Sequence, residues 1–549
     1  MDTVKCLGKK LNKTALVIAT IHFFLSFFSD RIIFEYAWMD SSTWKELVRS
    51  AETIVVKVIF GVILVLLWQW IFWATKHADR RFLKVAGGYM LFMSLVLLLT
   101  WPGIWRMDEF GILSSSLQLF PHFWQNYITT VFYVVALMLI PVPAGVVIVQ
   151  CACISLIVAR VMMLARAACE YSERGKRFQW ILFLPFFMFP VIDSNLYPIR
   201  MSLYAFLELW LLAELYFMWR RMRRKKTDGT LGYWSVLTVL AAVVTVWRTE
   251  AMYYVVAYPV LLLLLGKGLL YKKQITCYLI MFVVLFAPQK IGEQWTSGEQ
   301  YELTSVVLPL VPLMEAADQS GEPEDKKLLE VIDTVINVDV TLEGAQNGKS
   351  GINLFWGEPK FQRQYDRAQF AEFKSAYYKL VIRYPLVFLK ERWQTFLDSS
   401  DLLENTTDLY VKDGVMNYDI FREYPLSEPI ANEIRTSVIK MLELRDRYNY
   451  NEKLGVTDMV YSAVPAVFVL ALAVIAAAWK RRGFVAVLLL TALVKVPLVF
   501  LTAPSRLFMY YYSVYLIGYC VLFYALFGKS ARKVVTKVPA VRKEGKKHE

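Results

Sequence analysis

The chain has 549 residues, of which 57% are hydrophobic and only 20% charged, and its mean hydropathy is +0.41. This balance is too apolar for a soluble protein of this length, so we expect a membrane protein. Several uncharged apolar runs are long enough to cross a bilayer core of roughly 30 Å as a helix, and a β-barrel is excluded because barrel strands alternate and are much shorter.

The apolar runs predict an all-α polytopic membrane protein with about twelve transmembrane helices. The spans are placed where apolar stretches end at charged residues. They are predicted at residues 14–29, 53–75, 85–101, 144–165, 178–192, 200–219, 233–247, 249–266, 274–289, 457–479, 484–502 and 508–527.

Basic residues predict the orientation of these spans. Lys9 and Lys10 precede the first span, and Arg80 and Arg81 follow the second, so the positive-inside rule places the N-terminus in the cytoplasm. Twelve crossings bring the other strongly basic connectors and the tail 529–549 to the same side. We therefore expect a cell-membrane protein with both termini in the cytoplasm. The net charge of +14 then reflects connectors beside an anionic leaflet, and no nucleic-acid partner is expected.

One further apolar stretch, residues 126–142, does not fit as a crossing, because it would place the basic connector 166–177 outside. Pro141 and Pro143 separate it from the next span. We expect an interfacial or re-entrant helix within the first large outer loop, residues 102–143. The alternative is an ordinary span with inverted topology downstream.

The connectors also divide the chain into regions. One larger outer insertion, residues 290–456, is predicted as an extracytoplasmic domain, in which the polar stretch 323–350 is interpreted as loop. Residues 364–399 show helical spacing and predict two amphipathic helices broken at Pro385, which lie either on the outer leaflet or against their own domain. The remaining regions are an N-terminal two-span extension (1–84), a transmembrane core (85–289), a C-terminal three-span bundle (457–528) and a basic tail (529–549).

Common catalytic motifs are absent from the sequence. It contains no glycine-rich phosphate loop, no paired CxxC, no HExxH and no GxSxG. The four histidines are scattered, which excludes a multi-histidine metal site and leaves open one divalent cation held by oxygen atoms.

The most specific feature is the run Trp101-Pro102-Gly103-Ile104-Trp105-Arg106-Met107-Asp108-Glu109, directly after the third span. Adjacent carboxylates at a membrane surface, beside an arginine and flanked by tryptophans, suit a general base that acts on a polar acceptor next to a lipid-borne donor. The structural alternative is that Asp108 and Glu109 stabilise the first turn of a helix. Both roles are compatible.

Other polar groups are expected at the same depth. They stand in the turn from Asp193 to Arg200, in the turn containing Arg248 and Glu250, and at Arg506 before the last span. Arginines at three such turns have the chemistry to hold a phosphate or diphosphate, although each is also explained as an ordinary interfacial arginine.

Within the spans, Lys495 and Glu208 are costly unless they are paired or face a cavity. Lys495 lies about seven residues, or roughly 10 Å, below the outer end of its span. A cation there has the charge to neutralise a lipid phosphate leaving group, with Glu208 as its partner. Snorkelling to the interface is the alternative for this lysine.

At these residues the chain resembles the GT-C superfamily of integral-membrane glycosyltransferases, which use polyprenyl-phosphate-linked sugars and include protein O-mannosyltransferases and lipid A aminoarabinose transferases. The similarity is one of layout and short motifs: Asp108-Glu109 after a span, the run Phe120-Pro121-His122 before an interfacial helix, and a span ending at Arg160. It covers roughly residues 85–290. The whole chain also looks like multispan proteins of Gram-positive bacteria.

The resemblance implies roles for the candidate residues. Asp108 and Glu109 are the implied catalytic residues: Asp108 is the base that deprotonates the acceptor, and Glu109 orients the acceptor or a metal ion. Asp193, His122 and Glu250 are implied to orient the acceptor or a metal ion. The donor phosphate is implied to be held by Arg106, Arg200, Arg248, Lys495 and Arg506. The implied partners are a polyprenyl-phosphate sugar, the lipid bilayer, and an envelope glycan, lipid or protein acceptor.

The sequence departs from the family pattern in three places. Two extra spans precede the motif loop, His122 is not followed by prolines, and the large insertion precedes the last three spans. Two other functions therefore stay open. A polysaccharide polymerase or O-antigen-type ligase would use an arginine or histidine in the insertion, which contains no histidine. A lipid or sugar transporter would show broken helices in related halves, which the sequence does not.

Overall fold

The computed structural model describes residues 11–34, 44–119, 123, 126–169, 179–223, 230–266, 269–295, 299–399, 426–446 and 454–527, and all structural statements concern these residues. His122 and the tail 529–549 lie outside them. The described parts are helical throughout, and their one extended pairing is an isolated bridge between Ile336 and Gln362. The all-α prediction is confirmed for these residues.

The helices of the first half are α1 (Lys13–Ile33), α2 (Trp44–His77), α3 (Arg80–Leu99), α4 (Met107–Leu117), α5 (Tyr127–Leu139), α6 (Pro143–Cys169), α7 (Phe189–Leu196), α8 (Arg200–Met222), α9 (Leu231–Trp247), α10 (Tyr254–Leu265) and α11 (Leu269–Trp295). Those of the second half are α12 (Glu299–Ser320), α13 (Pro323–Ile332), α14 (Val338–Gln346), α15 (Gly351–Gly357), α16 (Arg367–Arg383), α17 (Pro385–Asp398), α18 (Asn432–Leu442), α19 (Thr457–Val460), α20 (Val464–Trp479), α21 (Gly483–Thr502) and α22 (Tyr512–Phe527). Short 3₁₀ helices lie at Gln179–Phe187, Thr249–Ala251 and Phe508–Tyr511.

Eight stretches of the described chain are long and apolar enough to cross a membrane. They are Thr53–His77, Arg80–Leu99, Pro143–Ala167, Arg200–Met222, Leu270–Glu293, Thr457–Trp479, Gly483–Thr502 and Phe508–Phe527. Shorter apolar helices occupy Lys13–Phe28, Tyr127–Leu139, Leu231–Trp247 and Thr249–Leu265. The architecture is therefore that of a multi-pass membrane protein, while the number of twelve crossings stays a prediction.

The predicted span 178–192 is not one continuous α-helix. Its first part is the 3₁₀ helix Gln179–Phe187, which contains Pro185, and its second part belongs to α7. Pro185 has no amide hydrogen to donate, which interrupts a regular α-helical ladder. The predicted turn from Asp193 to Arg200 is also shorter than expected. Asp193 lies within α7, and the turn begins at Tyr197.

Helix α5 occupies most of the stretch 126–142. Its 13 residues rise about 20 Å, which is less than the roughly 30 Å of a bilayer core. It packs against α4, α6 and α1. These dimensions agree with an incomplete crossing, and its placement at the membrane interface stays a prediction.

Helices α12–α17 form a domain with its own apolar core, here called the α12–α17 domain. The loop predicted at 323–350 is wrong, because α13 and α14 lie there and α15 follows directly. Pro323 opens α13, and the Asn337 side chain accepts a hydrogen bond from the Val340 amide at the start of α14. Helices this short and polar carry too few apolar positions for a periodic signal.

The two helices predicted within 364–399 are confirmed, with the break at Pro385. Phe370, Phe373 and Tyr377 on α16 are buried in the core of the α12–α17 domain. Of the two alternatives for these helices, packing against their own domain therefore holds for α16.

The side of the membrane that carries this domain is here called the domain side. After α17 the described chain resumes at residue 426, and α18 packs against α7 and α3. The segment 426–446 therefore lies on the domain-side ends of the transmembrane core, directly over the run that joins α3 to α4.

Gly518 marks a close approach between two C-terminal spans. A Cβ at Gly518 would lie 2.7 Å from Ala466 Cβ and 2.9 Å from its carbonyl oxygen, whereas a Cβ at Gly88 on α3 meets nothing within 4 Å. We expect Gly518→Val to destabilise the protein by about 1–3 kcal/mol through overpacking. Thermal unfolding in nanodiscs measures this, with Gly88→Val as the matched control, and equal midpoints for the two variants would contradict it.

Candidate functional site

The run between α3 and α4 is fixed from two sides by main-chain hydrogen bonds. The Ile104 amide donates to the Leu196 carbonyl oxygen at 3.0 Å, and the Arg435 guanidinium donates to the Gly103 carbonyl at 2.7 Å. Gly103 has φ +106° and its Cβ position is occupied by Val147, so glycine is required there. The Arg106 side chain is thereby placed between α7 and the segment 426–446.

Asp108 and Glu109 stand in the first turn of α4, where acidic side chains interact favourably with the helix dipole. The N-cap residue, Arg106, makes no side-chain capping bond. The helix-start alternative is thus consistent with the placement. It does not account for the different surroundings of the two carboxyl groups.

Those surroundings differ because neighbouring residues on a helix point about 100° apart. The Asp108 side chain is exposed, whereas Glu109 is 1% exposed and is hydrogen-bonded to Tyr197. Burial, and next the nearby Asp108 charge, raise the pKa of Glu109 to about 8. Glu109 is therefore mostly protonated at neutral pH, which leaves Asp108 as the solvent-facing carboxylate of the pair.

A buried ion cluster lies next to this pair and is here called the Arg106 cluster: Arg106, Asp193, Tyr197 and Glu443. The Arg106 guanidinium lies 2.9 Å from Glu443 Oε1 and 3.7 Å from Asp193 Oδ2, and it stacks on the Tyr197 ring at 4.2 Å. Arg106 and Asp193 are fully buried. A buried guanidinium needs such partners because an unpaired charge there is very costly.

The Tyr197 backbone that carries this cluster is fixed by neighbouring helices. Gln150 on α6 donates to the Asn195 and Tyr197 carbonyl oxygens at 3.0 and 2.9 Å, and the Tyr133 hydroxyl on α5 donates to the Pro198 carbonyl at 2.7 Å. These hydrogen bonds hold the ring of Tyr197 against Arg106 and its hydroxyl against Glu109.

A second cluster, here called the Lys495 cluster, is formed by Lys495, Glu208, Arg248 and Glu250. Arg248 makes a two-bond ion pair with Glu250 in which Nε donates to Oε2 at 2.9 Å. Glu208 accepts hydrogen bonds from two tyrosine hydroxyls, Tyr253 at 3.1 Å and Tyr254 at 2.9 Å.

Lys495 is fully buried on α21. Its ammonium donates to the Ser513 hydroxyl at 3.3 Å and lies 4.5 Å from the centroid of the Tyr204 ring. Glu208, Arg248 and Glu250 are all within electrostatic range of it. Lys495 and Glu208 are thus close enough to interact electrostatically, while their direct pairing stays a prediction.

A pocket of about 440 Å³ opens beside the Lys495 cluster. Its wall includes Glu250, Tyr253 and the last turns of α21, and Thr304 and Ser305 of α12 contribute hydroxyl groups. Val499 on this wall lies one helical turn beyond Lys495. The pocket therefore lies between the transmembrane core and the α12–α17 domain, with the Arg248–Glu250 ion pair at its edge.

Helix α8 and the connection that precedes it link the two clusters. Tyr197 of the Arg106 cluster precedes this helix by three residues, and the helix carries Tyr204 and Glu208 into the Lys495 cluster. Trp247, at the end of α9, donates to the Arg200 carbonyl at 2.9 Å. Movement of the α7–α8 connection would therefore affect both clusters.

The predicted site residues do not all join these clusters. Arg200 lies within electrostatic range of Glu250, at the edge of the Lys495 cluster. Arg506 instead contacts Glu391 at 3.2 Å and Asp398 at 3.0 Å, so it fastens α17 to the end of α21. The position of His122 is outside the described residues.

Sequence reasoning missed Glu443 and underrated Tyr197. Glu443 stands more than 330 residues from Arg106, in a segment without a recognisable motif. Tyr197 was visible within the polar turn, but nothing in the sequence indicates that its ring stacks on Arg106. Only the three-dimensional path of the chain brings these groups together.

Within the described part of the chain, no group of three or more His, Cys, Asp or Glu side chains is arranged to hold a metal ion. The oxygen-ligated divalent cation stays a prediction. Comparison with protein-family models, with curated proteins and with solved structures finds no match to this chain.

The raised pKa of Glu109 predicts a pH dependence of stability. In the unfolded chain Glu109 loses its proton near 4.5, and in the folded protein near 8. Between these values the unfolded state binds fewer protons, so the folded state loses stability as pH rises. Glu109→Gln stays neutral and removes this loss.

Thermal unfolding of the protein in nanodiscs across this pH range measures the effect. The midpoint of Glu109→Gln should rise relative to wild type as pH increases to about 8 and then keep a constant offset. Asp339→Asn, at an exposed first-turn aspartate of α14, is the control. A pH-independent offset for Glu109→Gln would show that the pKa is not raised.

Proposed function

We propose that this protein is an integral-membrane glycosyltransferase. It moves a sugar from a polyprenyl-phosphate donor to an envelope glycan, lipid or protein on the outer face of the cell membrane of a Gram-positive bacterium. Both termini are then cytoplasmic, and the domain side is the outer side. The observation that carries the proposal is the exposed Asp108 carboxylate beside the buried Glu109 and the Arg106 cluster.

In this reaction an acceptor hydroxyl or amine attacks the anomeric carbon of the sugar while Asp108 takes its proton. The bond from that carbon to the phosphate oxygen breaks, and its electron pair leaves with the polyprenyl phosphate. Asp108 suits the base role because it is exposed at the start of α4. Glu109, mostly protonated at neutral pH, acts as a hydrogen-bonding neighbour.

Arg106 has a different role from the phosphate ligand that the resemblance implies. Its guanidinium already contacts Asp193 and Glu443. We therefore assign Arg106, Asp193 and Glu443 to positioning: they fix the run that carries Asp108. This assignment keeps Asp193 in the site as a partner of Arg106.

The donor phosphate is assigned to the side of the site that contains Lys495, Arg248 and Arg200. Charge on a leaving phosphate needs stabilisation by preorganised cations in a site with little water. The pocket beside Glu250 is large enough for a polar headgroup and lies at the domain-side ends of the spans. A lipid-linked donor reaches such a depth with its chain still in the bilayer.

The polymerase or ligase alternative expects a catalytic arginine or histidine in the large insertion. Among its described arginines, Arg392 and Arg435 donate to main-chain carbonyl oxygens, and Arg383 pairs with Glu324 and Asp325. These contacts are structural, so the alternative gains no support from them. A transporter predicts that activity survives loss of Asp108.

Replacing the proposed base gives the primary test. Asp108→Asn keeps the size and helix position of the side chain but accepts no proton, so we expect a loss of transfer of about 10²-fold or more. The measurement is the mass of envelope glycans and lipid-linked sugars in cells with equal membrane levels of each variant.

Asp339→Asn is the matched control, since Asp339 is also an exposed aspartate in the first turn of a helix. It should leave the glycans unchanged. In the Asp108→Asn cells a sugar modification should vanish while its lipid-linked donor accumulates. Wild-type glycans in those cells would rule out Asp108 as the base and favour a transporter.

If the donor phosphate binds beside Lys495, replacing Lys495 should weaken donor binding and replacing Arg506 should not. Lys495→Met removes a buried charge from the Lys495 cluster, so we expect about tenfold or more weaker binding of polyprenyl phosphate by the purified protein. Arg506→Gln, which loses the ion pairs with Glu391 and Asp398 of α17, should bind as wild type does. Uncharged polyprenol serves as the control ligand. Equal affinities for the two variants would remove Lys495 from the donor site.

A further inference from the structure

Helix α17 is apolar on the face that points away from the protein. Its inward face buries Arg392 and Thr395, and the Arg392 guanidinium donates to the Ala503 carbonyl oxygen at 2.7 Å. The opposite face carries four large apolar side chains. Their exposed fractions are 79% for Leu386, 48% for Leu389, 56% for Trp393 and 44% for Leu397. A surface helix in water is expected to be polar on that face.

The spacing of these four residues makes them one continuous stripe, here called the α17 stripe. Steps of three, four and four residues bring side chains onto the same face of a helix. At the end of α16, Ile382 is exposed to 78% and precedes the stripe in sequence. The α17 stripe is therefore a continuous apolar surface and not a single exposed residue.

The depth of the stripe is set by its attachment to a membrane-crossing helix. Trp393 and Phe396 contact the Phe500 ring on α21, with centroids 6.5 and 6.4 Å apart. Ion pairs from Arg506 hold the other side of α17 to the same end of α21. Leu498 and Leu501 on α21 are themselves exposed at this level. The stripe thus continues the lipid-facing surface of a span.

We propose that the α17 stripe lies in the membrane leaflet on the domain side, with α17 parallel to the membrane as an interfacial helix. Lys390 is exposed next to Leu389 in the sequence, and a lysine at the edge of an inserted apolar face can extend its ammonium to lipid phosphates. The partner of this surface is the bilayer itself. Neither a second copy nor another protein is needed to cover it.

This anchoring has a consequence for the pocket beside the Lys495 cluster. The pocket is lined by α12 and by the end of α21, and α17 packs against both of these helices. A helix held in the leaflet therefore fixes the position of the α12–α17 domain, whose α12 forms one wall of the pocket. The inference is independent of the reaction, because it concerns only where the domain sits.

The unmodified full-length chain provides the test. The protein is placed at one copy per nanodisc, with a phospholipid that carries a photoreactive diazirine in its acyl chain. After irradiation, adducts are located by mass spectrometry of peptides. We expect adducts at the α17 stripe at a level comparable to those at Leu498 and Leu501, and several-fold fewer on α13.

Adducts on α21 without adducts on the stripe would overturn the proposal, since one copy per disc excludes a second molecule as the shield. A matched pair of variants sharpens the test. Leu386→Asp should lower labelling of the 385–398 peptide several-fold, whereas Ser375→Asp, at an exposed position on α16, should leave it unchanged. Equal labelling in both variants would also count against insertion of the stripe.

Discussion

The burial of Arg106 is the constraint on which the arrangement of the site depends. Its guanidinium is fully buried, so it requires the carboxylates of Asp193 and Glu443 and the ring face of Tyr197. These partners come from α7, from the α7–α8 connection and from the segment after α18. One charged side chain therefore ties the motif run to a helix of the transmembrane core and to a segment more than 330 residues away.

The cations of the site are not free charges. Arg248 is paired with Glu250, and Lys495 lies within range of Glu208 and Glu250. An anionic ligand that enters the pocket must compete with these carboxylates or share the cations with them. Binding of the proposed donor phosphate then depends on the difference between its contacts with these cations and the contacts that the carboxylates already make.

Hydropathy predicted the helical membrane architecture because lipid forces a crossing segment to be long, apolar and internally hydrogen-bonded. Three features of the structure were not predicted from the hydropathy pattern. Pro185 divides the predicted span 178–192, short polar helices fill the predicted loop 323–350, and Glu443 reaches Arg106 only through tertiary folding. The carboxyl pair was recognisable from residue type and position, while its electrostatic partners depend on packing, which leaves no local pattern.

Asp108 and Glu109 both carry a carboxyl group, but the fold gives the two groups different surroundings. On a helix, adjacent side chains point about 100° apart, so one of them turns inward when the other faces solvent. Here the inward group is Glu109, and burial beside Tyr197 raises its pKa to about 8. The proposed proton-accepting site is therefore also a helix start: the first turn of α4 fixes the Asp108 backbone, exposes the Asp108 side chain and buries Glu109.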